Sequence, residues 1–343
     1  MGEGIGQVGL LSASGTRTVL TAAAAAPSLH NSQPWRFRCT PNAIELHADY
    51  TRALPIADPD NRELLLGCAA ALENLQLAIR SFDVFPTVSL LPNAANPGLL
   101  AVVHPLTRKS ATPAERALAQ AIGSRRTNRR PFSSVQIPTP AINTLRLAAK
   151  TENAWLVTLD RTQLAALRAL GVQAHAAQQR DPAYVAEWRH WTGRPAEAAD
   201  GVPSDSGGPL PEAHDEWVLR DFSGGQRRQR VPGKDFEARP LIAVIGSFHD
   251  LPIGQLHAGM AMQRVLLSAT TMGISASFLS HLVEVPATRA RLRALIGGGL
   301  WPQTVLRLGY GTPVPATPRR DLADVLLETD PAIGPTRQSS LLG

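Results

Sequence analysis

The sequence has 343 residues, of which 44% are hydrophobic and 18% charged, and its formal net charge is +6. This length allows a large hydrophobic core or two domain-sized units. The two cysteines, Cys39 and Cys68, exclude a disulfide framework and a cysteine-based zinc site, and no apolar run is long enough for a transmembrane helix.

The positive charge is almost entirely arginine and occurs in short pairs rather than in one long stripe. Aromatic residues make up only 5%, and no stacking platform or recognition helix is visible, so we expect no nucleic-acid partner. Arginine pairs are well suited to holding a single phosphate. The chain starts acidic and glycine-rich, unlike a signal peptide, and we expect a cytoplasmic protein without a membrane partner.

The first third of the chain predicts helices alternating with short strands. An alanine-rich helix covers 11–26, and two strands within 35–49 flank a turn at Pro41–Asn42. A long helix with a wide apolar face covers 63–82, and Asp58 or Asp60 can cap it. Two further strands and a helix follow, at 85–92, 98–106 and 114–124.

The remainder of the chain repeats this order, which predicts an internal duplication. Helices are expected at 140–150, 161–179 and 256–272, and strands at 153–159, 239–248 and 304–311. The two long helices can be aligned with Asn74 opposite Arg264, and we expect them to form the seam between the halves. We divide the chain into an N-terminal half at 1–112, a C-terminal half at 113–330 and a tail at 331–343.

One insertion breaks the symmetry of the halves. Residues 190–237 are rich in Gly, Pro, Ser and Asp, and so long an irregular segment is usually functional or disordered. Trp191 and Trp217 indicate that parts of it pack, so we interpret it as an ordered flap.

The segment APSLHNSQPW, residues 26–35, is more specific than a turn requires. Pro27 can end the alanine helix, and Ser28 and Asn31 can bond local backbone, so a simple helix stop is one interpretation. The concentration of polar residues beside Trp35 favours a site.

This segment resembles the P-S-x-x-N-x-Q-P-W motif of the FMN-dependent nitroreductase family. The basic segment RRTNRRPF at 125–132 is similar to the family's R-R-S-x-R-x-F segment, with its Phe one residue late. GYGTPVPATPRR at 309–320 is similar to the family's C-terminal ending. The resemblance spans roughly residues 12–328 and implies an α+β fold with a mixed, mainly antiparallel sheet and surrounding helices.

The order of the motifs departs from that of the ordinary family, in which the arginine motif comes first and two identical chains form two sites. Here the first half carries the Pro-Ser-Asn segment and the second half the arginine segment, whereas AAKTENAW at 148–155 has lost the corresponding residues. This layout resembles the double-length, Acg-type group associated with bacterial dormancy. It implies a monomer in which one chain mimics the family homodimer, with one intact flavin site.

The resemblance implies FMN as the cofactor and NADPH or NADH as the electron donor. Arg125, Arg319 and Arg320 would hold the phosphate, Thr127 would offer a hydroxyl, and Arg129 would lie at the N1–O2 edge of the flavin. The full set of cofactor-binding residues implied in this way is Pro27, Ser28, Leu29, His30, Asn31, Arg125, Arg126, Thr127, Arg129, Gly273, Ile274, Ser275, Arg319 and Arg320. The basic segments could instead be a solvated turn and a helix-flanking tail.

The implied reaction passes hydride from the nicotinamide to the flavin and then to a nitroaromatic or quinone, and it requires no catalytic side chain. The alternative is an FMN storage protein whose flap shields the flavin. The histidines lack metal-site spacing, and we expect no metal.

Overall fold

The described part of the chain builds two four-stranded sheets around a pair of long helices. The computed structural model describes residues 5–212, 214–225, 235–237 and 240–328. The helices are α1 (Ala13–Ala24), α2 (Arg62–Arg80), α3 (Pro113–Ala121), α4 (Thr139–Thr151), α5 (Arg161–Arg180), α6 (Pro182–Trp191), α7 (Pro252–Thr271), α8 (His281–Glu284), α9 (Pro286–Leu295) and α10 (Leu322–Val325). The strands are β1 (Trp35–Cys39), β2 (Ile44–Ala48), β3 (Val84–Leu90), β4 (Leu99–Arg108), β5 (Trp155–Thr158), β6 (Thr192–Arg194), β7 (Val202–Pro203), β8 (Leu241–Ser247), β9 (Ser275–Phe278) and β10 (Trp301–Gly309).

The two large sheets have the same topology, which confirms the predicted duplication. Their orders are β1-β2-β4-β3 and β5-β8-β10-β9, and all neighbouring strands in both are antiparallel. In each sheet a helix precedes the first strand (α1 or α4) and a long helix (α2 or α7) joins the second strand to the third. Among the described residues, the short β6–β7 pair is the one parallel ladder. The fold is therefore α+β and mainly antiparallel, as predicted.

The seam between the halves is the contact between α2 and α7. A Cβ atom added to Gly259 of α7 would lie only 2.6 Å from the Ala69 Cβ, so this glycine allows the two helices to approach closely. Gln263 donates a hydrogen bond to Asn74 at 2.6 Å, and Arg264 pairs with Glu73 at 2.9 Å.

The Gln263–Asn74 and Arg264–Glu73 contacts occupy equivalent positions in the two halves. With Asn74 aligned to Arg264, Glu73 corresponds to Gln263, so each pair is the counterpart of the other. Such reciprocal contacts characterise an interface with two-fold symmetry. One chain thus reproduces the contact pattern of a homodimer, and the two seam helices lie close to their predicted bounds of 63–82 and 256–272.

Asp58 anchors the start of α2. Its carboxylate oxygens accept the backbone N–H groups of Glu63 and Leu64, which otherwise lack partners in the first helical turn. The capping box that Asp60 and Glu63 could have formed is absent, because the residue before the helix, Asn61, has a left-handed backbone with φ of 55°. This cap fixes the first turn of α2 beside the candidate site.

The insertion lies between β5 and β8 and is larger than predicted, because it also includes α5 and α6. Of the predicted flap at 190–237, residues 213 and 226–234 lie outside the described residues. Tyr184 and Trp188 of α6 pack against Leu54 and Ala57 of the first half. The insertion therefore bridges the two halves.

The C-terminal segment returns to the first half of the molecule. The Leu327 N–H donates to the Phe37 carbonyl at 2.8 Å, beside a parallel bridge between Leu326 and Phe37. The tail at 331–343 lies outside the described residues. The division of the chain at residues 112 and 113 stays a prediction.

Candidate functional site

The connection between α1 and β1 has an unusual backbone. His30, Asn31 and Gln33 all have positive φ values, of 49°, 57° and 52°. Non-glycine residues occupy this region only when their surroundings hold them there, and such residues often lie at functional sites. The Ser28 hydroxyl accepts the Gln33 N–H at 2.8 Å, and the Asn31 amide donates to the carbonyls of Gly201 and Pro318. These contacts shape the connection into one wall of a cavity.

The outer part of this cavity contains about 790 Å³ of space, counting the solvent at its mouth. Three arginines lie on its wall, Arg125, Arg126 and Arg319. Among the described residues, no carboxylate pairs with any of the three. Arg319 instead donates to backbone carbonyls, including those of Ala25 and Ala26.

Arg125 is the most deeply placed of these cations. It is only 5% exposed, and the described residues provide no hydrogen-bond partner for its Nε and Nη1 atoms. Burial lowers the pKa of Arg125 to about 9, and the neighbouring charges of Arg319 and Arg126 act in the same direction. Burial likewise lowers the pKa of Arg319 to about 10, with Arg126 contributing.

Like charges gathered without counter-ions repel one another and lose hydration. A bound anion would relieve both costs and satisfy the unpaired guanidinium atoms through charge-assisted hydrogen bonds. The outer cavity therefore has the donor set of a phosphate site.

The inner part of the cavity is continuous with the outer part and more aromatic. The two parts share Pro27, Ser28, Thr127 and Arg129 in their walls. The inner part contains about 560 Å³ of space, counting the open solvent at its mouth. It is further lined by Leu29, His30, Glu63, Leu66, Gly67, Phe222, Met262, Phe278 and Ser280.

Arg129 stacks on the Phe222 ring in the wall of this inner part. The guanidinium carbon of Arg129 lies 4.2 Å from the Phe222 ring centroid, and Nη1 donates to the Ser206 carbonyl at 3.0 Å. Burial, with the charge of Arg220, lowers the pKa of Arg129 to about 10. Phe222 and Ser206 both belong to the insertion, which thus contributes directly to the cavity.

His30 is a buried, neutral member of the wall. Burial lowers its pKa to about 3, and its ring meets Trp188 edge-on at 4.9 Å. The sequence motif supplies its position, but the structure assigns it a packing role against the insertion rather than an acid–base role near neutral pH.

Most of the residues expected from sequence come together at this cavity. Those in its walls are Pro27, Ser28, Leu29, His30, Asn31, Arg125, Arg126, Thr127, Arg129 and Arg319. They derive from both halves of the sequence, as the reversed motif order implies.

Four expected residues lie elsewhere. Gly273 ends α7 with φ of 71°, Ile274 packs in the main core, and Ser275 begins β9. Arg320 lies beside Gln33 and Asp49, with its Nη1 3.8 Å from the Asp49 carboxylate.

Sequence reasoning missed the residues that close the inner part of the cavity. Phe278 and Ser280 replace Gly273–Ser275, and Met262 and Leu66 come from the seam helices. Trp191 and Trp217, the expected covering residues, do not line it: Trp191 lies near Arg52, and Trp217 packs in the peripheral core with Trp155 and Leu167. No spacing signal in the sequence marks Phe222.

Neither a metal site nor a membrane span is found in the described part of the chain. Within residues 5–212, 214–225, 235–237 and 240–328, no group of three or more His, Cys, Asp or Glu residues could hold a metal ion. None of the described helices is both long and apolar enough to cross a membrane.

Two curated proteins of Mycobacterium tuberculosis are similar over nearly the whole chain. Rv3131, whose name provisionally assigns it as an NAD(P)H nitroreductase, is 35% identical over 326 residues, covering 90% of each chain. Acg, provisionally named in the same way, is 31% identical over 315 residues, covering 90% of this chain and 94% of its own. No family model matches the chain.

Solved structures resemble the chain only partly. The FMN-dependent nitroreductase NfnB of Mycobacterium smegmatis, in complex with NADPH, is 16% identical with a TM-score of 0.38, covering 63% of this chain and 99% of its own. A nitroreductase with bound FMN from Desulfitobacterium hafniense is 13% identical with a TM-score of 0.40, covering 63% and 99%. Nothing about the site follows from likenesses of this extent.

Proposed function

This chain belongs to the nitroreductase family, in its Acg-type group, and from that premise we propose that it is an FMN-binding oxidoreductase. Its electron donor is a reduced nicotinamide, NADPH or NADH, and its acceptor is a nitroaromatic or quinone-type compound. The chain acts as a monomer with one flavin site, because its two halves already form the family's dimer-like seam.

The unpaired arginines of the outer cavity carry this proposal. FMN combines a dianionic phosphate with a polar ribityl chain and a flat apolar ring. Buried N–H groups of Arg125 without partners match the phosphate, and the wall lined by Leu66, Phe222 and Phe278 matches the ring. The arginine-lined outer part and the apolar inner part adjoin each other, as the phosphate and the ring of one FMN would require.

Individual roles follow from the positions of the side chains. Arg125, Arg126 and Arg319 bind the phosphate, and the Thr127 hydroxyl, shared by both parts of the cavity, bonds the phosphate or ribityl chain. Arg129 lies at the inner part, where a positive charge stabilises reduced flavin and raises its reduction potential.

Bound FMN would supply the hydride-accepting and hydride-donating chemistry. The protein binds and orients it, and the positive-φ connection forms one wall of the cavity. The backbone of α2 at Gly67 packs closely against this connection, since a Cβ added to Gly67 would lie 3.1 Å from the Ser28 Cβ. Phe222 and Phe278 exclude water from the inner part. We assign no side chain to hydride transfer.

Storage of FMN is a second candidate, and the position of the insertion favours it. Phe222 lines the inner cavity, and the Gly201 carbonyl and N–H both bond Asn31. Gln33 donates to the Ala199 carbonyl at 2.8 Å, so the insertion is fastened to the connection on which the cofactor would rest. A cover held by these contacts would restrict access of a nicotinamide.

A visible absorption spectrum followed by anaerobic addition of NADPH or NADH tests the proposal. We expect a bound flavin spectrum that bleaches with the nicotinamide and returns with a nitroaromatic or quinone. Absence of flavin binding by protein supplied with FMN would contradict both candidates. Bleaching by dithionite but not by either nicotinamide would favour storage.

A variant with residues 196–232 replaced by a short Gly-Ser linker separates the two candidates further. If the insertion restricts access, this variant should oxidise NADPH faster and lose FMN more readily. If the intact protein already turns over rapidly, the linker should not accelerate it, and storage is excluded as the main role.

A further inference from the structure

We infer that Glu63 is the proton donor to the electron acceptor in the inner cavity. This inference rests on the proposed oxidoreductase function and adds to it a residue that the chemistry of hydride transfer does not itself require. It assigns a role to a carboxyl group that was not among the site residues expected from the sequence.

Glu63 holds a fixed position in the wall of the inner cavity. It lies in the first turn of α2, where its N–H is bonded by Asp58 at 3.0 Å. Its Oε1 atom accepts from the Arg62 guanidinium at 2.7 Å. For Oε2, the described residues provide no hydrogen-bond donor. The carboxyl is thus held on one side and left with a free oxygen in a cavity wall.

The other polar groups of the inner wall are poor proton donors near neutral pH. His30 is kept neutral because burial lowers its pKa to about 3, and Arg129 keeps its proton with a pKa of about 10. Ser280 accepts a hydrogen bond from Arg220 at 2.5 Å. Among the described residues lining the inner cavity, Glu63 is the one carboxyl group.

The surroundings of Glu63 favour its protonated form. Burial raises its pKa to about 7; Arg62 opposes this, while the negative charges of Asp58 and Glu284 reinforce it. These three groups belong to α2, to the loop before it and to α8, the elements from which charges act on Glu63. A carboxylic acid with a pKa near the working pH is suited to general acid catalysis.

Reduction of the acceptor needs one proton in addition to the hydride. A quinone gains a hydride from reduced FMN and a proton from Glu63 and becomes a hydroquinone. A nitro group gains the same hydride and proton and becomes a nitroso group with release of water. In both cases the O–H bond of Glu63 breaks, its electron pair stays on the carboxylate, and no further reductant is needed.

Reprotonation of Glu63 has a nearby source of water. A second cleft, open to solvent, is lined by Asp58, Arg62 and Glu284. Arg62 donates to the Glu63 carboxyl, so solvent in this cleft lies one residue away from that carboxyl. The donor therefore lies between a reaction cavity and a proton source.

Glu63→Gln and Glu63→Asp test the role, and Glu73→Gln is the matched control. Glu63→Gln keeps the shape of the side chain and an oxygen that can accept from Arg62, but it has no carboxyl proton to donate. Glu63→Asp keeps a carboxyl group on a shorter side chain. Glu73 is also a fully buried carboxyl with a raised pKa, but it lies at the seam and not in the cavity wall. FMN affinity is measured first for every variant, by titration of flavin fluorescence.

The kinetic measurement mixes dithionite-reduced, FMN-loaded protein with 1,4-benzoquinone in single turnovers across pH. For the wild type, oxidation should slow as pH rises above about 7. Glu63→Gln should be slower by roughly 10²- to 10⁴-fold, with its pH dependence removed and FMN affinity preserved. Glu63→Asp should keep the pH dependence, and Glu73→Gln should match the wild type.

Infrared spectra provide a readout that is independent of turnover. The wild type should show a protonated-carboxyl band that titrates near pH 7 and is missing in Glu63→Gln. A Glu63→Gln protein that binds FMN and keeps the wild-type rate and pH profile would overturn the inference and leave the proposed function intact. Failure of the wild type to bind FMN would overturn both.

Discussion

The two connections that follow α1 and α4 occupy equivalent places in the duplicated fold but differ in length. The connection after α1 runs from residue 25 to residue 34, because α1 ends at Ala24 and β1 begins at Trp35. The connection after α4 is only residues 152–154, between Thr151 and Trp155. Ten residues can form the curved wall of a cavity, whereas three can only turn the chain. The duplication therefore retains the architecture twice and the long, wall-forming connection once.

We call the surroundings of the connection after α1 the first end of the molecule, and those of the connection after α4, which includes Glu152, the second end. The charges at these two ends of the seam differ in the same way. At the first end, Arg125, Arg126 and Arg319 face a cavity without a carboxylate partner among the described residues. At the second end, Arg264 is held between Glu73 at 2.9 Å and Glu152 at 2.6 Å. Arg264 is thus paired internally, whereas the described residues provide no carboxylate for Arg125, Arg126 and Arg319.

Removing a cation from the first end should have the largest effect. Arg125→Ala deletes a charge-assisted contact worth about 1.5–3 kcal/mol, so FMN affinity should fall by roughly 10- to 150-fold. Fluorescence titration of apoprotein with FMN measures this. Arg116→Ala, at an exposed arginine paired with Asp83, is the control and should bind FMN normally. Equal affinity of Arg125→Ala and the wild type would remove the phosphate assignment.

The stability of the α2–α7 seam should be sensitive to a single methyl group added at Gly259. In Gly259→Ala the new Cβ would lie 2.6 Å from both the Ala69 Cβ and the Leu66 carbonyl oxygen, and forcing α2 and α7 apart should cost about 1–3 kcal/mol of unfolding free energy. Chemical denaturation followed by circular dichroism is the measurement. Gly299→Ala, where an added Cβ meets nothing within 4 Å, should unfold like the wild type. If both variants are equally stable, the close helix contact is not a constraint.

The buried carboxylate of the second end should make stability depend on pH. Burial and the nearby Glu152 raise the pKa of Glu73 above its unfolded value, while Arg264 opposes this. The folded state then binds a proton that the unfolded state has lost. Stability is therefore full below the ordinary carboxyl range and falls as pH rises towards the folded pKa, by about 1.4 kcal/mol for each tenfold difference in proton affinity between the folded and unfolded states.

Glu73→Gln removes this titration. Its unfolding midpoint, measured by calorimetry from pH 5 to pH 9, should decline less steeply with pH than that of the wild type. If the midpoints of the wild type and Glu73→Gln change in parallel with pH, Glu73 keeps an ordinary pKa. The difference in charge between the two ends would then be smaller.

Arg320 should give the smallest change. Its guanidinium lies 3.8 Å from Asp49 and outside both parts of the cavity, so Arg320→Ala should change FMN affinity by less than about fivefold, equivalent to under about 1 kcal/mol. The FMN titration used for Arg125→Ala measures it. A loss as large as that of Arg125→Ala would place Arg320 in the phosphate site after all.

The sequence indicated the connection after α1 and the arginines of the outer cavity, but not the residues of the insertion that line the inner cavity. The Pro27–Trp35 motif and the arginines at 125–129 were identifiable because they resemble the nitroreductase motifs, and their residue types are consistent with that assignment: proline ends a helix, and paired guanidinium groups suit a phosphate. The long apolar faces of α2 and α7 predicted the seam in the same way.

The inner wall could not be predicted, because tertiary packing decides it. Phe222 lies in an irregular segment whose position depends on contacts such as Gly201 with Asn31, and no periodicity marks such contacts. Gly273 was expected in the site, but Gly273–Ser275, which form the turn after α7 and the start of β9, are not among the lining residues, and Phe278 lines the cavity instead. The four-residue β9 was too short to give a pattern.

The central claim is that the chain contains two copies of the fold and one flavin site. The most direct test is to saturate the purified protein with FMN, remove unbound flavin, denature the protein and count flavin against polypeptide. We expect one FMN per chain, lost on removal of the first-end cations. Two FMN per chain would contradict the claim, because the three-residue connection and the neutralised Arg264 would then also hold a cofactor.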